Sequence, residues 1–225
     1  METTYTDEDE WVVRRMRMVS EQLVVRGIAD ERIITAMREV PRHQFITENL
    51  QMDSYKDTPV PIGAGQTISQ PYIVALMTEL LEIKDDDIVL EIGTGSGYHT
   101  AIIARLAQRV FSVECMPELA AAARQRLDHL GVMNVEIHEG DGSAGLPDRS
   151  PFDVILVAAA SPRQPDQLID QLTSDGRLII PVGSRHKQRL QLWTVKQGKA
   201  VNRVLTAVRF VPLTGKWGWK NEPER

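Results

Sequence analysis

Three glycines at alternate positions, Gly93, Gly95 and Gly97, follow an acid, Glu91, that lies near the end of a β-branched run from Ile88 to Ile92. Glycine at this spacing lets the backbone turn where other residues resist, and lets a ligand lie against bare main chain. A helical pattern begins near Thr100, and a helix start offers free N–H groups to a carboxylate or phosphate. Strand, tight loop and helix together make a binding element. Its spacing narrows the ligand. A dinucleotide fingerprint wants Gly-x-Gly-x-x-Gly, whose third glycine lets the helix pack on the strand. This chain has Gly-x-Gly-x-Gly instead.

Two further acids could serve the same ligand. Glu114 ends an apolar run, Val110 to Val113, about twenty residues beyond Gly93, where such sheets place an acceptor for ribose hydroxyls. Asp141 precedes Gly142, a pairing suited to an adenine amino group and a ring nitrogen. Other chemistries are poorly supplied. The one cysteine, Cys115, allows no internal disulfide and reads as a small packed residue. The five histidines are scattered without metal-ligand spacing, so no metal is expected.

The elements that must hold these residues follow from periodicity. From Trp11 to about Arg26, Val12, Met16, Val19 and Leu23 form one helical stripe that Gly27 can stop. Arg14, Arg15 and Arg17 read as its solvated face, and residues 1 to about 10 as polar and frayed. Asp30 is placed to cap a second helix, which Pro41 ends. Residues 53 to 71 hold three prolines and two glycines, which excludes a regular helix or a central strand. The expectation is an ordered irregular loop lining a site. Pro71 then opens a helix to Leu81.

Beyond the glycines the chain alternates. Strands are expected at Val110–Glu114, Val135–His138, Phe152–Ala158 and Arg177–Pro181, with helices at Pro117–Leu130 and Pro165–Leu172. Alternation of this kind means βαβ units and a parallel sheet. A hairpin formed by Leu190–Val195 and Val201–Val211 should close it antiparallel. Ligands of such sheets lie beyond the carboxyl ends of the strands, where the glycines, Glu114 and Asp141 all fall.

Acidic-x-Gly-x-Gly-x-Gly at a strand end resembles the first motif of Rossmann-like S-adenosylmethionine (AdoMet) methyltransferases, and the strand pattern matches their seven-stranded, mostly parallel sheet with helices on both faces. Acceptor chemistry is narrowed by absences. After the fourth strand the chain reads Val157-Ala-Ala-Ala-Ser161-Pro162, without the Asp/Asn-Pro-Pro-aromatic box of base-amino methylation, and no Pro-Cys pair is present for cytosine carbon.

The segment Tyr55-x-Asp57-x-Pro59-x-Pro61-Ile62-Gly63-x-Gly65-Gln66-Thr67-Ile68-Ser69-Gln70-Pro71 resembles the signature loop of the protein-L-isoaspartate O-methyltransferases. Val40-Pro41-Arg42 with Phe45, Gly140-Asp141-Gly142, Pro151-Phe152-Asp153 and Arg209 to Leu213 agree with it in order. The resemblance implies methyl transfer from AdoMet to the free α-carboxylate of isoaspartyl residues in damaged peptides and proteins. The ester then collapses to a succinimide, from which normal aspartate can re-form. It implies a catalytic Ser69, and cofactor contacts at Gln66, Thr67, Ile68, Ser69, Glu91, Gly93, Thr94, Gly95, Ser96, Gly97, Glu114, Asp141, Gly142 and Thr214. Substrate contacts are implied at Ile62, Gly63, Gly65, Ser69 and Ala159. Tyr72 stands where some relatives carry histidine. A small molecule or RNA as acceptor would leave the 53–71 loop unexplained.

A 225-residue chain with 42% hydrophobic content can bury one good core, so one domain is expected, with a cap and substrate loop over 1–82 and a Rossmann-like core over 83–225. A net charge of −5 disfavours a dedicated nucleic-acid binder. The acidic N-terminus lacks a signal-peptide pattern, and no run reaches membrane-spanning length. The expected setting is a cytoplasmic monomer.

Overall fold

The structure is a computed structural model and describes residues 7–220. Its frame is a seven-stranded sheet built from β3 (Ile88–Ile92), β4 (Arg109–Glu114), β5 (Val135–Glu139), β6 (Phe152–Val157), β7 (Leu172–Gly183), β8 (Gln188–Lys196) and β9 (Lys199–Val208), in the order β5-β4-β3-β6-β7-β8-β9. Pairings from β5 to β7 are parallel, and β8 is antiparallel to both its neighbours. The central strands bury almost every residue, β6 with the pattern of a strand covered on both faces. Sequence order reverses at β3, which lies between β4 and β6. That reversal opens a crevice at the carboxyl ends of β3 and β6.

Helices α1 (Asp7–Met18), α2 (Glu31–Glu39), α3 (Pro71–Leu81), α4 (Tyr98–Ala104), α5 (Pro117–His129) and the short α6 (Asp166–Ile169) complete the fold. Asp30 caps α2 by accepting from the Arg32 N–H, and Val40 ends it before Pro41. The first helix begins earlier than its apolar stripe suggests: Asp7 to Glu10 are helical, although residues 1–6 lie outside the described residues. It continues as a wider turn over Val19–Leu23 and a tighter one over Val24–Arg26, and Gly27 stops it at a φ of 94°. Arg15 is not on a solvated face. It is buried, with its guanidinium donating to the Arg38 carbonyl, so α1 is pinned to the end of α2.

Three expectations need correction. The 53–71 segment is not irregular throughout: Val60–Gly63 (β1) and Gln66–Ile68 (β2) pair as a small antiparallel hairpin, joined by Ala64 and Gly65 at φ 51° and 69°. Two successive positive φ values suit a two-residue hairpin turn, and a separate two-stranded ribbon tolerates the prolines that a central strand would not. The helix expected over Pro165–Leu172 shrinks to the four residues of α6, because Leu172 already pairs with Phe152 in the sheet. Strand β7 is correspondingly longer than Arg177–Pro181. Among the described residues, one apolar cluster runs from Met18 to Leu192, joining the N-terminal helices to the sheet.

Candidate functional site

The glycine loop sits at the crevice. Gly93, Gly95 and Gly97 take φ values of 92°, 54° and 88°, which side-chain-bearing residues rarely adopt. The Gly95 N–H donates to Glu114 Oε2 at 2.8 Å, and the Met116 N–H donates to Glu114 Oε1 at 3.0 Å. Glu114 thereby fixes the loop and also lines the cavity.

Glu91 has a different place. It is fully buried beneath the loop, where its Oε2 accepts from the Thr100 hydroxyl at 2.5 Å and the Ser112 hydroxyl at 2.6 Å. Burial pushes its carboxyl up to about 7, against the pull of those two hydroxyls. It does not line the cavity, and its Oε1 has no hydrogen-bond partner among the described residues.

The cavity has a volume of about 420 Å³, within the range of small-molecule sites. Gln66 to Ser69, Gly93 to Ser96, Glu114, Gly142, Ala159 and Thr214 line it, and the apolar Ile92, Val113, Met116 and Leu213 form walls between them. A Cβ on Gly142 would stand 2.6 Å from Ile92 Cγ2, so the residue after Asp141 has no room for a side chain there. Bare backbone, an acid for a diol and apolar walls fit a nucleoside-bearing cofactor.

A second cavity, of about 390 Å³, adjoins the first. Pro59, Gln70, Ile73, Ala207, Val208, Arg209 and Phe210 line it, and it shares Thr67, Ser69, Ala158 and Val211 with its neighbour. Ser69 therefore stands where the two spaces meet. Its hydroxyl does not cap α3: the capping position is Gln70, with no side-chain cap bond. Its backbone is held from behind. Arg42, fully buried, donates from Nη2 to the Ser69 carbonyl at 2.7 Å and from Nε to the Ser54 carbonyl at 2.6 Å. Desolvation lowers that guanidinium to about 10, partly offset by electrostatic attraction to Tyr98 and Tyr55; the Tyr98 ring centre lies 4.8 Å from it.

The remaining expected residues divide. Asp141 is committed to the chain's own tail: Oδ1 accepts from the Ser143 N–H and hydroxyl, and Oδ2 accepts from the Lys216 N–H at 2.7 Å. Those bonds hold its carboxyl below the usual range despite partial burial. The same contacts place Thr214 in the cavity wall. Gly97 lies behind the cavity at the start of α4, its Cα facing Ala123. Ile62 packs towards Gly95, while Gly63 and Gly65 lie in the β1–β2 turn, outside both cavity linings.

Cys115 is not packed as expected; it is exposed at the cavity rim, 4.0 Å from the Thr214 hydroxyl, because β4 has ended at Glu114. Partial desolvation and the neighbouring Glu114 carboxylate raise its thiol above the ordinary value. His99 was missed among the scattered histidines. It lines the cavity from the first turn of α4, and burial holds its ring well below the ordinary histidine value. Thr78 donates its hydroxyl to the Val74 carbonyl, so the 2.9 Å contact with His99 Nε2 requires the histidine to donate. Its place two residues after Gly97 was the available signal.

The sequence profile of the family described as protein-L-isoaspartate(D-aspartate) O-methyltransferase matches residues 14–218. The chain belongs to this family. The protein-L-isoaspartate O-methyltransferase of Methanoculleus marisnigri is 52% identical over 208 residues, covering 92% of this chain and 94% of that one. A solved protein-L-isoaspartate O-methyltransferase superposes with a TM-score of 0.82 at 29% identity, covering 92% of this chain and 67% of the other. A Plasmodium falciparum relative, solved with S-adenosyl-L-homocysteine, gives 0.78 at 29% identity, with 89% and 98% covered. Members of a family using AdoMet need a nucleoside pocket, and the first cavity has the required features.

Proposed function

We propose that this chain transfers a methyl group from AdoMet to the free α-carboxylate of L-isoaspartyl residues in damaged peptides and proteins, beginning their repair. The observation that carries this is the junction of two cavities at Ser69 in a member of this family. AdoMet, when bound, supplies a methyl group on an electrophilic sulfonium. Glu114 would accept from ribose hydroxyls, the glycine loop would bear the amino-acid end, and Gly142 with Asp141 would border the base. The Gln66–Ser69 segment closes the wall between cofactor and acceptor.

The acceptor carboxylate, with an ordinary pKa near ~3.9, is already ionised at neutral pH and needs no general base. The site accordingly works by positioning and by excluding water. Ser69 donates its hydroxyl to the substrate carboxylate and aims it at the first cavity, while the substrate backbone runs past Ile62 to Gly65 and Ala159. Arg42 keeps the Ser69 backbone in place. The chain acts as a single domain, with its cap and substrate loop over 1–82 and its core over 83–225, as a monomer in the cytoplasm without nucleic acid. Among the described residues, no helix is long and apolar enough to cross a membrane.

The test uses two peptides that differ only in isoaspartate against aspartate, incubated with methyl-labelled AdoMet, and counts base-labile ester as methanol. Label on the isoaspartyl peptide alone supports the reading. Label on neither, with AdoMet bound, overturns it and turns attention to a small-molecule or RNA acceptor.

A further inference from the structure

Charge is segregated along this chain. Between residues 176 and 220 stand ten lysines and arginines and no aspartate or glutamate, although the whole chain has a net charge of −5. Arg177 is paired with Asp87. Lys187, Arg189, Lys196, Lys199, Arg203 and Arg209 are all exposed, and none makes an ion pair among the described residues. Most of them belong to the β8–β9 hairpin, and β9 is the edge of the sheet. Among the described residues no strand pairs with its outer side, and Val201 and Val204 are 57% and 52% exposed. An edge strand with exposed apolar side chains is a place where an extended peptide can add.

The hairpin is also continuous with the acceptor cavity. Ala207 and Val208, at the end of β9, line the second cavity together with Arg209, the one charged residue in that lining. A polypeptide whose reacting residue lies beside Ser69 can leave past Arg209 and along the β8–β9 hairpin, with Arg203 and Lys199 on β9 itself. We infer that the β8–β9 hairpin is a docking surface for the flanking segment of the substrate, and that it selects extended, acidic polypeptide. The inference rests on the proposed reaction for the position of the substrate's reacting residue. Its basis is charge complementarity and continuity: two of the unpaired cations, Lys199 and Arg203, lie on the edge strand β9, Arg189 and Lys196 lie on its neighbour β8, and β9 runs into the acceptor cavity. Exposed charges of this kind act together and lose their pull in salt.

The test takes one isoaspartyl peptide with glutamates in its flanks and a second with glutamines in their place. At low ionic strength the glutamate peptide is expected to show a KM about tenfold lower, from several exposed charge pairs acting together. The difference should shrink as salt is raised. The Lys199→Gln/Arg203→Gln variant, whose changes lie outside both cavities, should lose most of that advantage and keep its kcat/KM on the glutamine peptide. Equal KM values for the two peptides in the unaltered protein would overturn the inference, as would a variant that slows both peptides alike.

Anisotropy of fluorescein-labelled copies of both peptides separates this surface from the reaction. If neither peptide is methylated, the proposed reaction fails; tighter, salt-sensitive binding of the glutamate peptide would still support the docking surface, and equal binding would overturn it. A single-stranded oligonucleotide that displaces the glutamate peptide at a lower concentration than an acidic peptide of equal charge would overturn it in favour of nucleic acid.

Discussion

Ser69 and Glu91 do opposite kinds of work, and each gives a measurable consequence. Ser69 lines both cavities and its hydroxyl makes no cap bond to α3, so its removal should leave the fold alone. Ser69→Ala is expected to lower kcat/KM for an isoaspartyl peptide by about 100-fold, the scale of losing one well-placed donor, with an unchanged urea midpoint. An undiminished kcat/KM would remove Ser69 from the mechanism. Glu91 lies beneath the loop, where burial lifts its carboxyl from 4.5 to about 7. The folded state therefore holds this proton more tightly than the unfolded chain does. The contribution is fully present below the unfolded value and is lost as pH rises through the folded one, a difference of about 3 kcal/mol. Glu91→Gln keeps an oxygen for the Thr100 and Ser112 hydroxyls but does not titrate. Its stability relative to the unaltered protein should rise by about that amount between pH 4.5 and 8 in urea denaturation. A constant difference across that range would mean that Glu91 ionises normally.

Elements were legible where local pattern and final contact coincide. Acid, three glycines and a helix start identify the β3–α4 loop because turn geometry and ligand approach both require glycine there. The apolar run of β6 gives away a strand covered on both faces. What stayed hidden depends on distant partners. Nothing near Asp141 announces that Lys216, in the tail, would take one of its oxygens. Nor does the α1 stripe reveal that Arg15 would be spent on the end of α2. The β1–β2 hairpin was obscured by its own prolines, which exclude a central strand but not a short ribbon. Packing between element ends yields the next prediction. Because a Cβ at Gly142 would meet Ile92 Cγ2 at 2.6 Å, and Ile92 is held in β3, Gly142→Ala must displace the cavity floor. Overpacking of this type costs about 1–3 kcal/mol. The variant should bind S-adenosyl-L-homocysteine at least several-fold more weakly by calorimetry, and wild-type affinity would show that the floor gives way easily.

At the scale of the whole molecule, the first cavity is assembled from segments that span most of the chain: Gln66–Ser69, the β3 and β4 ends, Gly142, Ala158–Ala159 and Val211–Thr214. The apolar cluster from Met18 to Leu192 ties the N-terminal helices to the sheet that carries those ends. A ligand filling this cavity therefore touches parts that are far apart in sequence and packed in the two apolar clusters that share the sheet. Its binding energy should appear as stability of the whole chain. At a concentration about 100 times its Kd, such a ligand adds about 2.7 kcal/mol to the folded state. For a chain of this size each kcal/mol raises Tm by about 2–4 °C, so S-adenosyl-L-homocysteine should shift a single cooperative transition by about 5–10 °C. Two transitions, with only the later one moving, would mean that residues 1–82 melt independently of the core. A single transition that moves as one would mean that the wall containing Ser69 is stabilised by cofactor before any substrate arrives. The acceptor would then meet a preformed site.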